Sequence, residues 1–341
     1  MKAAVFSAAG EDLHIADVAE PVAEPGMLVF RVKACGICAS DLHAVEVPGM
    51  LAPGTVLGHE YSGEVVSVGA GVSGWQPGER MIGFPAKPCG SCAACAAGNF
   101  TGCEQVVMQG FDPRMPGAYA EYSSCVAALA IRVPDALSDT DAALVEPLTV
   151  GLGAWKAAQV ADGASVLVIG AGIIGLAVAK WAKFFGAAEV AVSEMVPARR
   201  ERARAAGVDL VIDASAHPDP VAEFARLCGR KPSVIFECVG RPLLARLIEI
   251  APMGAHLVLV GTGMQPESFT VVAAAMKRLR MTFTLGYEPA DFDFTLRMLG
   301  AGRITADPLI TATVPLDEAP AMFAALGKPN DHCKVLIRPH G

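Results

Sequence analysis

Two textures of hydrophobic and polar positions divide the chain. As far as about residue 146 the chain reads as mostly strands and loops, its apolar residues in short β-like runs. Leu28-Val29-Phe30-Arg31-Val32 and Gly63-Glu64-Val65-Val66-Ser67-Val68-Gly69 are examples, punctuated by turn-forming pairs such as Pro77-Gly78. No sustained helical period appears before about residue 139. From Asp139 to Gln159 helical signals begin, with Ser138-Asp139-Thr140-Asp141 as their cap. From Ser165 the pattern becomes strand–helix alternation. The predicted strands are Val166–Ile169, Val190–Ser193, Leu210–Ile212, Val234–Cys238, Leu257–Val260 and Met281–Leu285. The helix-length segments between them are Ile173–Phe185, Pro197–Ala206, Asp219–Leu227, Pro242–Ala251 and Ser268–Lys277. Such alternation implies right-handed crossovers and a parallel sheet with helices on both faces, and six strands match a doubly wound dinucleotide fold. The tail, from residue 290, returns to mixed character and is expected to close back on the N-terminal domain.

Composition sharpens this picture. A length of 341 residues suits two domains better than one. With 53% hydrophobic and 18% charged residues, the chain has the material for packed cores and none of the balance of a disordered protein. A net charge of −8 leaves no nucleic-acid footprint. The start, Met1-Lys2-Ala3-Ala4-Val5-Phe6-Ser7, has one charge and too short an apolar run for a signal peptide. No stretch reaches the roughly 18 uninterrupted apolar residues of a membrane span; Ile169 to Val178, the most tempting, is cut off by Lys180 and Lys183. A soluble, cytoplasmic protein with no membrane partner is expected. In a reducing compartment, regular spacing among the ten cysteines points to metal rather than to disulfides.

Gly170-Ala171-Gly172-Ile173-Ile174-Gly175 follows the strand-like Ser165–Ile169 and opens a helix. Glycines are needed there for a tight turn, for close approach of backbone to a pyrophosphate and for helix–strand contact. The diphosphate then rests on the N–H groups of the helix start. Among 35 glycines the motif alone is weak; its flanking strand and helix give it weight. Glu194 lies at the end of the second predicted strand, where a carboxylate accepts from ribose hydroxyls and repels a 2′-phosphate, so NAD is expected over NADP. Arg199 and Arg200 are the counter-indication, since arginine there can hold that phosphate; their alternative is a solvent-facing helix surface beside Glu201.

Cys89-x2-Cys92-x2-Cys95-x7-Cys103 places four thiols on one loop. Four thiolates can close a tetrahedral shell, which is the pattern of a structural zinc; an iron–sulfur cluster also takes four cysteines, but no electron-transfer signature accompanies these. A second, open site is expected from Cys38 and His59 as fixed ligands. Glu60 and Glu146 compete for the third position, and water or a substrate oxygen takes the last, as a catalytic zinc requires. Singly, His59 reads as a satisfied core histidine and Glu146 as a helix cap; as a set with Cys38 those readings lose force. Cys35 makes a Cys35-x2-Cys38 pair, but without a helix-heading redox context it reads as a small buried residue. Phe84, Met108, Phe111 and Tyr119 are candidates for an apolar pocket or for ordinary core.

Cys35-Gly36-Ile37-Cys38-Ala39-Ser40-Asp41-Leu42-His43, Gly58-His59-Glu60-Tyr61-Ser62-Gly63, the four-cysteine loop, Glu146-Pro147-Leu148 and Gly170–Gly175 stand together in one order. That set resembles the zinc-dependent medium-chain alcohol and polyol dehydrogenases over nearly the whole chain. The resemblance implies an α/β protein in which a GroES-like β-barrel catalytic domain is formed by residues 1–148 and 287–341. A Rossmann dinucleotide-binding domain, 149–286, is inserted between them. It implies Cys38 and His59 as catalytic zinc ligands, Ser40 as the hydroxyl contacting the reacting oxygen, and His43 as the outer end of a proton relay. Where many alcohol dehydrogenases carry a second cysteine ligand this chain has Glu146, a departure similar to the butanediol and sorbitol branch. In that branch the glutamate after the zinc histidine, here Glu60, can coordinate instead or displace a ligand transiently. A homo-oligomer, dimer or tetramer, is implied too, and Met281–Leu285 can pair across such an interface. The reaction expected is reversible oxidation of a small secondary alcohol or polyol to its ketone by NAD. The rivals are an NADP-dependent reductase of the same family and a non-catalytic nucleotide-binding protein, which would not need both zincs.

Overall fold

The structure, a computed structural model, describes residues 1–340. It forms two compact units. The first comprises Met1–Glu146, Glu288–Gly302 and the chain from Ile310 onward; the second comprises Pro147–Tyr287 and Arg303–Leu309.

The first unit is organised on the strand Met27–Gly36, in which only Arg31 and Lys33 are not buried. One edge of this strand pairs antiparallel with Glu60–Val68. Along its other edge Tyr122–Val126 pairs with the first half, and Lys334–Arg338 pairs with the last residues through Leu336–Gly36 and Ile337–Cys35. The sheet continues to Ile310–Pro315 on one side and to Arg80–Gly83 and Ala130–Arg132 on the other. Register shifts at Val29/Phe30 and Val32/Ala34 mark bulges, which bend and twist a strand. Gly63 is required beneath the Phe30 ring, which a Cβ there would meet at 2.3 Å, and Phe30 stacks on Tyr61 at 4.7 Å between centroids. Two short helices, Ala39–Ala44 and Ala93–Ala96, fall where the sequence pattern carried no helical period. Neither is long enough for a period to register. The helix Asp139–Ala143 is capped as expected, Ser138 Oγ accepting from the Asp141 N–H at 3.0 Å.

In the second unit six parallel strands stand in the order Leu210–Asp213, Glu189–Glu194, Ser165–Ile169, Val234–Glu237, His256–Leu259, Arg280–Phe283. Numbered along the chain this is 3-2-1-4-5-6, the doubly wound dinucleotide order. Ser165–Ile169 is buried throughout because it has a strand on each edge and helices to cover it, which is why it reads as an unbroken apolar run. Gly151 lets the helix Val145–Ala158 approach the helix Ile173–Phe184; a Cβ at Gly151 would lie 2.6 Å from that of Ala177. Trp181 is wholly buried and donates from Nε1 to the Leu148 carbonyl at 2.7 Å. Residues 303–309 differ from the expectation that the tail belongs wholly to the catalytic domain. Lys180 Nζ donates to Thr305 Oγ1 and the Asp307 carbonyl, at 3.1 and 2.9 Å, and Leu309 is fully buried, so this segment joins the second unit. No helix among the described residues is long and apolar enough to cross a membrane.

Candidate metal and nucleotide sites

In the first unit the strand Met27–Gly36 delivers Cys38 to the start of the helix Ala39–Ala44. The positive φ of Gly58, +100°, turns the chain so that His59 stands just ahead of the next strand, which Glu60 opens. The donor atoms of Cys38, His59 and Glu60 all lie within 4.8 Å of one another. Ser40 Oγ stands over the first two, 3.1 Å from Cys38 Sγ and 3.5 Å from His59 Nε2. The other imidazole nitrogen, Nδ1, is 3.3 Å from Asp41 Oδ1, and Asp41 is completely buried. A carboxylate behind a ligating histidine fixes its tautomer and ring orientation. Asp41 is held in turn by the Tyr119 hydroxyl, which donates to Oδ2 at 2.5 Å. Burial alone presses the His59 pKa down, but the negative charges of Asp41 and Cys38 outweigh it and raise the value. A thiol, an imidazole nitrogen and a carboxylate converging beside one hydroxyl are the donor types that zinc takes.

Glu60 is itself solvent-free. Lys334 Nζ donates to both of its oxygens at 2.6 Å and to the Ile37 carbonyl at 2.8 Å. Burial disfavours the Lys334 charge, yet the Glu60 carboxylate outweighs that and holds the ammonium above its ordinary pKa. Glu146 is buried, and its charge contributes to Lys334, but the convergent cluster contains Glu60 and not Glu146. His43 is half-buried on the helix Ala39–Ala44. Cys35 is fully buried, and burial pushes its thiol up, as suits an inert packing residue. Of the apolar pocket candidates, Phe111 packs on the His59 ring at 5.5 Å, Phe84 turns its ring to Phe292, Tyr119 is spent on Asp41, and Met108 is exposed.

The four cysteines of the lobe also gather, with Cys89, Cys92, Cys95 and Cys103 sulfurs all within 4.8 Å. Backbone N–H groups of Cys89 and Cys95 point at the sulfurs of Cys103 and Cys92, each at 3.4 Å. The backbone N–H of Ser91 is the largest of several hydrogen bonds that hold Cys89 down at about 6, whereas desolvation is the largest cause pushing Cys95 up to about 12. The lobe is tied down by Glu288, which accepts from the Phe100 N–H at 2.9 Å and the Thr101 N–H at 3.3 Å.

In the second unit the glycine loop shows why each glycine is there. Gly170 has φ +97°, and its added Cβ would meet Val239 at 2.9 Å; a Cβ on Gly175 would strike the Gly170 carbonyl at 2.0 Å. Gly172, at the start of the helix Ile173–Phe184, has nothing within 4 Å of its Cβ position, leaving the open approach that a diphosphate needs. Glu194 rims the loop, its oxygens accepting from the Ala171 and Val196 N–H groups at 2.9 Å each. Arg200 is committed to Asp213 at 2.9 Å and to the Glu194 and Met195 carbonyls. Arg199 is half-buried on the same helix. The residues that sequence reasoning passed over are Tyr119 as a partner of Asp41, Lys334 as a partner of Glu60, and Glu288.

A parallel nucleotide sheet with this loop, joined in one chain to a sheet bearing thiolate–imidazole–carboxylate donors, defines a nucleotide- and metal-binding dehydrogenase. The alcohol dehydrogenase GroES-like domain matches residues 24–135 and the zinc-binding dehydrogenase domain matches residues 174–301. The chain belongs to the zinc-dependent medium-chain dehydrogenase family. It is 32% identical to (R,R)-butanediol dehydrogenase of Bacillus subtilis (strain 168), with 97% of each chain covered. It is 31% identical to sorbitol dehydrogenase of Gallus gallus, covering 93% of this chain and 91% of that one. Its structure superposes on that of a protein assigned as a zinc-binding dehydrogenase, from Sinorhizobium meliloti 1021 and bound to NADP. The TM-score is 0.89 at 27% identity, with 99% of both chains covered.

The two cysteine sets separate by experiment. Cys38→Ser is expected to remove one zinc and abolish turnover with little change in thermal midpoint. Cys92→Ser is expected to remove the other and to lower the midpoint first. Metal analysis with thermal unfolding checks both, and equal loss of fold in the two variants refutes the assignment.

Proposed function

We propose that the chain is a zinc-dependent oxidoreductase interconverting a small secondary alcohol or polyol and its ketone, with NAD(H) as the redox partner. The observation that carries this reading is the Cys38–His59–Glu60 convergence with the Ser40 hydroxyl 3.1 Å from the thiol and 3.5 Å from the imidazole. The butanediol and sorbitol dehydrogenases above are relatives over nearly the whole chain and support the substrate class. Zinc held there would supply Lewis-acid polarisation of an alcohol hydroxyl, and a bound nicotinamide would supply the hydride chemistry. Cys38 and His59 hold the metal, and Glu60 or Glu146 completes the protein's share. Asp41 keeps the proton of His59 on Nδ1, so that Nε2 presents its lone pair. Ser40 accepts the alcohol proton, and His43, half-buried on the same helix, passes it toward water. Cys89, Cys92, Cys95 and Cys103 hold a second, structural zinc.

For the nucleotide, Gly170, Gly172, Ile173, Ile174 and Gly175 receive the diphosphate, and Glu194 receives the adenosine ribose. Each Glu194 oxygen accepts a backbone hydrogen bond, and a carboxylate oxygen has a further lone pair to offer a hydroxyl. Its charge disfavours a 2′-phosphate, and Arg200, the neighbouring cation, is occupied by Asp213. The reading is of NAD rather than NADP, although the superposed relative carries NADP. The edge strand Arg280–Phe283 and the helix Val271–Met276 expose Phe283 at 72%, Leu285 at 84%, Val271 at 71% and Met276 at 72%. An unpaired edge beside such apolar residues is covered by a second copy in a homodimer.

A panel of secondary alcohols and polyols followed by NADH absorbance tests the activity; no turnover with any of them, in zinc-replete protein, defeats it. Titration with NADH and NADPH is expected to favour NADH at least tenfold, a gap of roughly 1.4 kcal/mol, and Glu194→Ala should erase the preference. His43→Gln is expected to slow turnover and to be partly rescued by added imidazole; full activity in the variant removes His43 from the relay. Sedimentation should give the mass of a dimer or a multiple of it, and a monomer at assay concentration discards the interface.

A further inference from the structure

A buried lysine next to a metal site is an anomaly, because an ammonium repels the ion that the site would hold. Lys334 is 2% exposed, and its Nζ lies 2.6 Å from each oxygen of Glu60. The two residues are not on neighbouring strands. Met27–Gly36 runs between them, with Gly36 opposite Glu60 on one side and opposite Leu336 on the other. The residue between leaves room for the carboxylate, since a Cβ on Gly36 would fall 1.9 Å from Glu60 Oε2. The carboxylate so held also has an oxygen within 4.8 Å of the Cys38 and His59 donors. One buried carboxylate therefore faces the Lys334 ammonium on one side and the Cys38 and His59 donors on the other.

We propose that Lys334 is a positioning residue that competes with the metal for Glu60, making that carboxylate a releasable ligand so that a coordination position can open for the alcohol oxygen. This rests on the Cys38–His59 metal site of the proposed function and names the residue that governs its third ligand. Pairing with an ammonium weakens a carboxylate as a donor, because part of its charge is already satisfied. Without the ammonium, a buried carboxylate is an uncompensated charge whose remaining counter-ion is the metal. The lysine thus sets how firmly Glu60 binds.

The test is the visible spectrum of the cobalt(II) protein in wild type, Lys334→Met and Lys334→Met/Glu60→Gln. The four-cysteine lobe contributes equally to all three and cancels in the differences. Lys334→Met is expected to shift the d–d bands as the carboxylate stays on the metal, and to lower kcat by about 10–100-fold, the usual effect of losing an outer partner. The double variant has no carboxylate to bind and should return the bands to the wild-type position. A Lys334→Met spectrum that superimposes on wild type overturns the proposal, as does a double variant that keeps the shift. So does a Lys334→Met protein that stays unfolded in saturating cobalt, since the metal should then supply the missing positive charge. If instead the wild-type bands are untouched by Cys38→Ser, the metal-site reading itself fails, a separate result.

Discussion

A charge withdrawn from water must be met by another charge or by hydrogen bonds, and the first unit is arranged around that demand. Its sheet places an acid, Glu60, over Gly36 where no solvent reaches, and answers it with an ammonium from two strands away. Asp41, just as buried, is answered by the Tyr119 hydroxyl and the Cys38 N–H and faces the His59 imidazole. The cost of an unpaired buried ion runs to several kcal/mol, enough to decide whether a fold of ordinary stability persists. These residues are thus held by one another before any metal arrives, and their geometry is a property of the sheet.

This arrangement explains how the same short stretch can be both flexible in chemistry and fixed in place. Cys38, Ser40 and Asp41 lie on one turn at the end of the central strand, and each looks to a different neighbour. The His59 ring is clamped from behind by Asp41 and on one face by Phe111. Groups with fixed neighbours lose little freedom when a ligand binds, and preorganisation of this kind makes a donor set selective. In the second unit the same economy appears in backbone form, where three glycines each serve a different contact around one turn.

What was readable from residue order follows from range. The nucleotide loop, the cysteine lobe and the Cys38–His43 turn are local, so spacing alone announced their donors, and the inner parallel strands announced themselves as buried apolar runs. Contacts between distant residues were silent. Lys334 meets Glu60 across 274 positions, Phe100 meets Glu288 across 188, and Tyr119 meets Asp41 across 78. No periodicity encodes such pairs. The helices Ala39–Ala44 and Ala93–Ala96 escaped because one or two turns carry no period. The competition between Glu60 and Glu146 could not be weighed from residue types, since both are buried acids; in the structure it is a Glu60 oxygen that gathers with the Cys38 and His59 donor atoms.

The strand order of the first unit has a consequence for biosynthesis. Lys334–Arg338 occupies an inner place in the sheet, between Ile310–Pro315 and Met27–Gly36, and Glu288 anchors the cysteine lobe. A ribosome delivers the N-terminal strands long before either. The second unit, by contrast, has all six of its strands translated by Phe283. While the polypeptide is being made, the nucleotide-binding half can therefore settle first, and the metal-binding half must wait, its acid at Glu60 still without a cation, until the segment bearing Lys334 emerges from the exit tunnel.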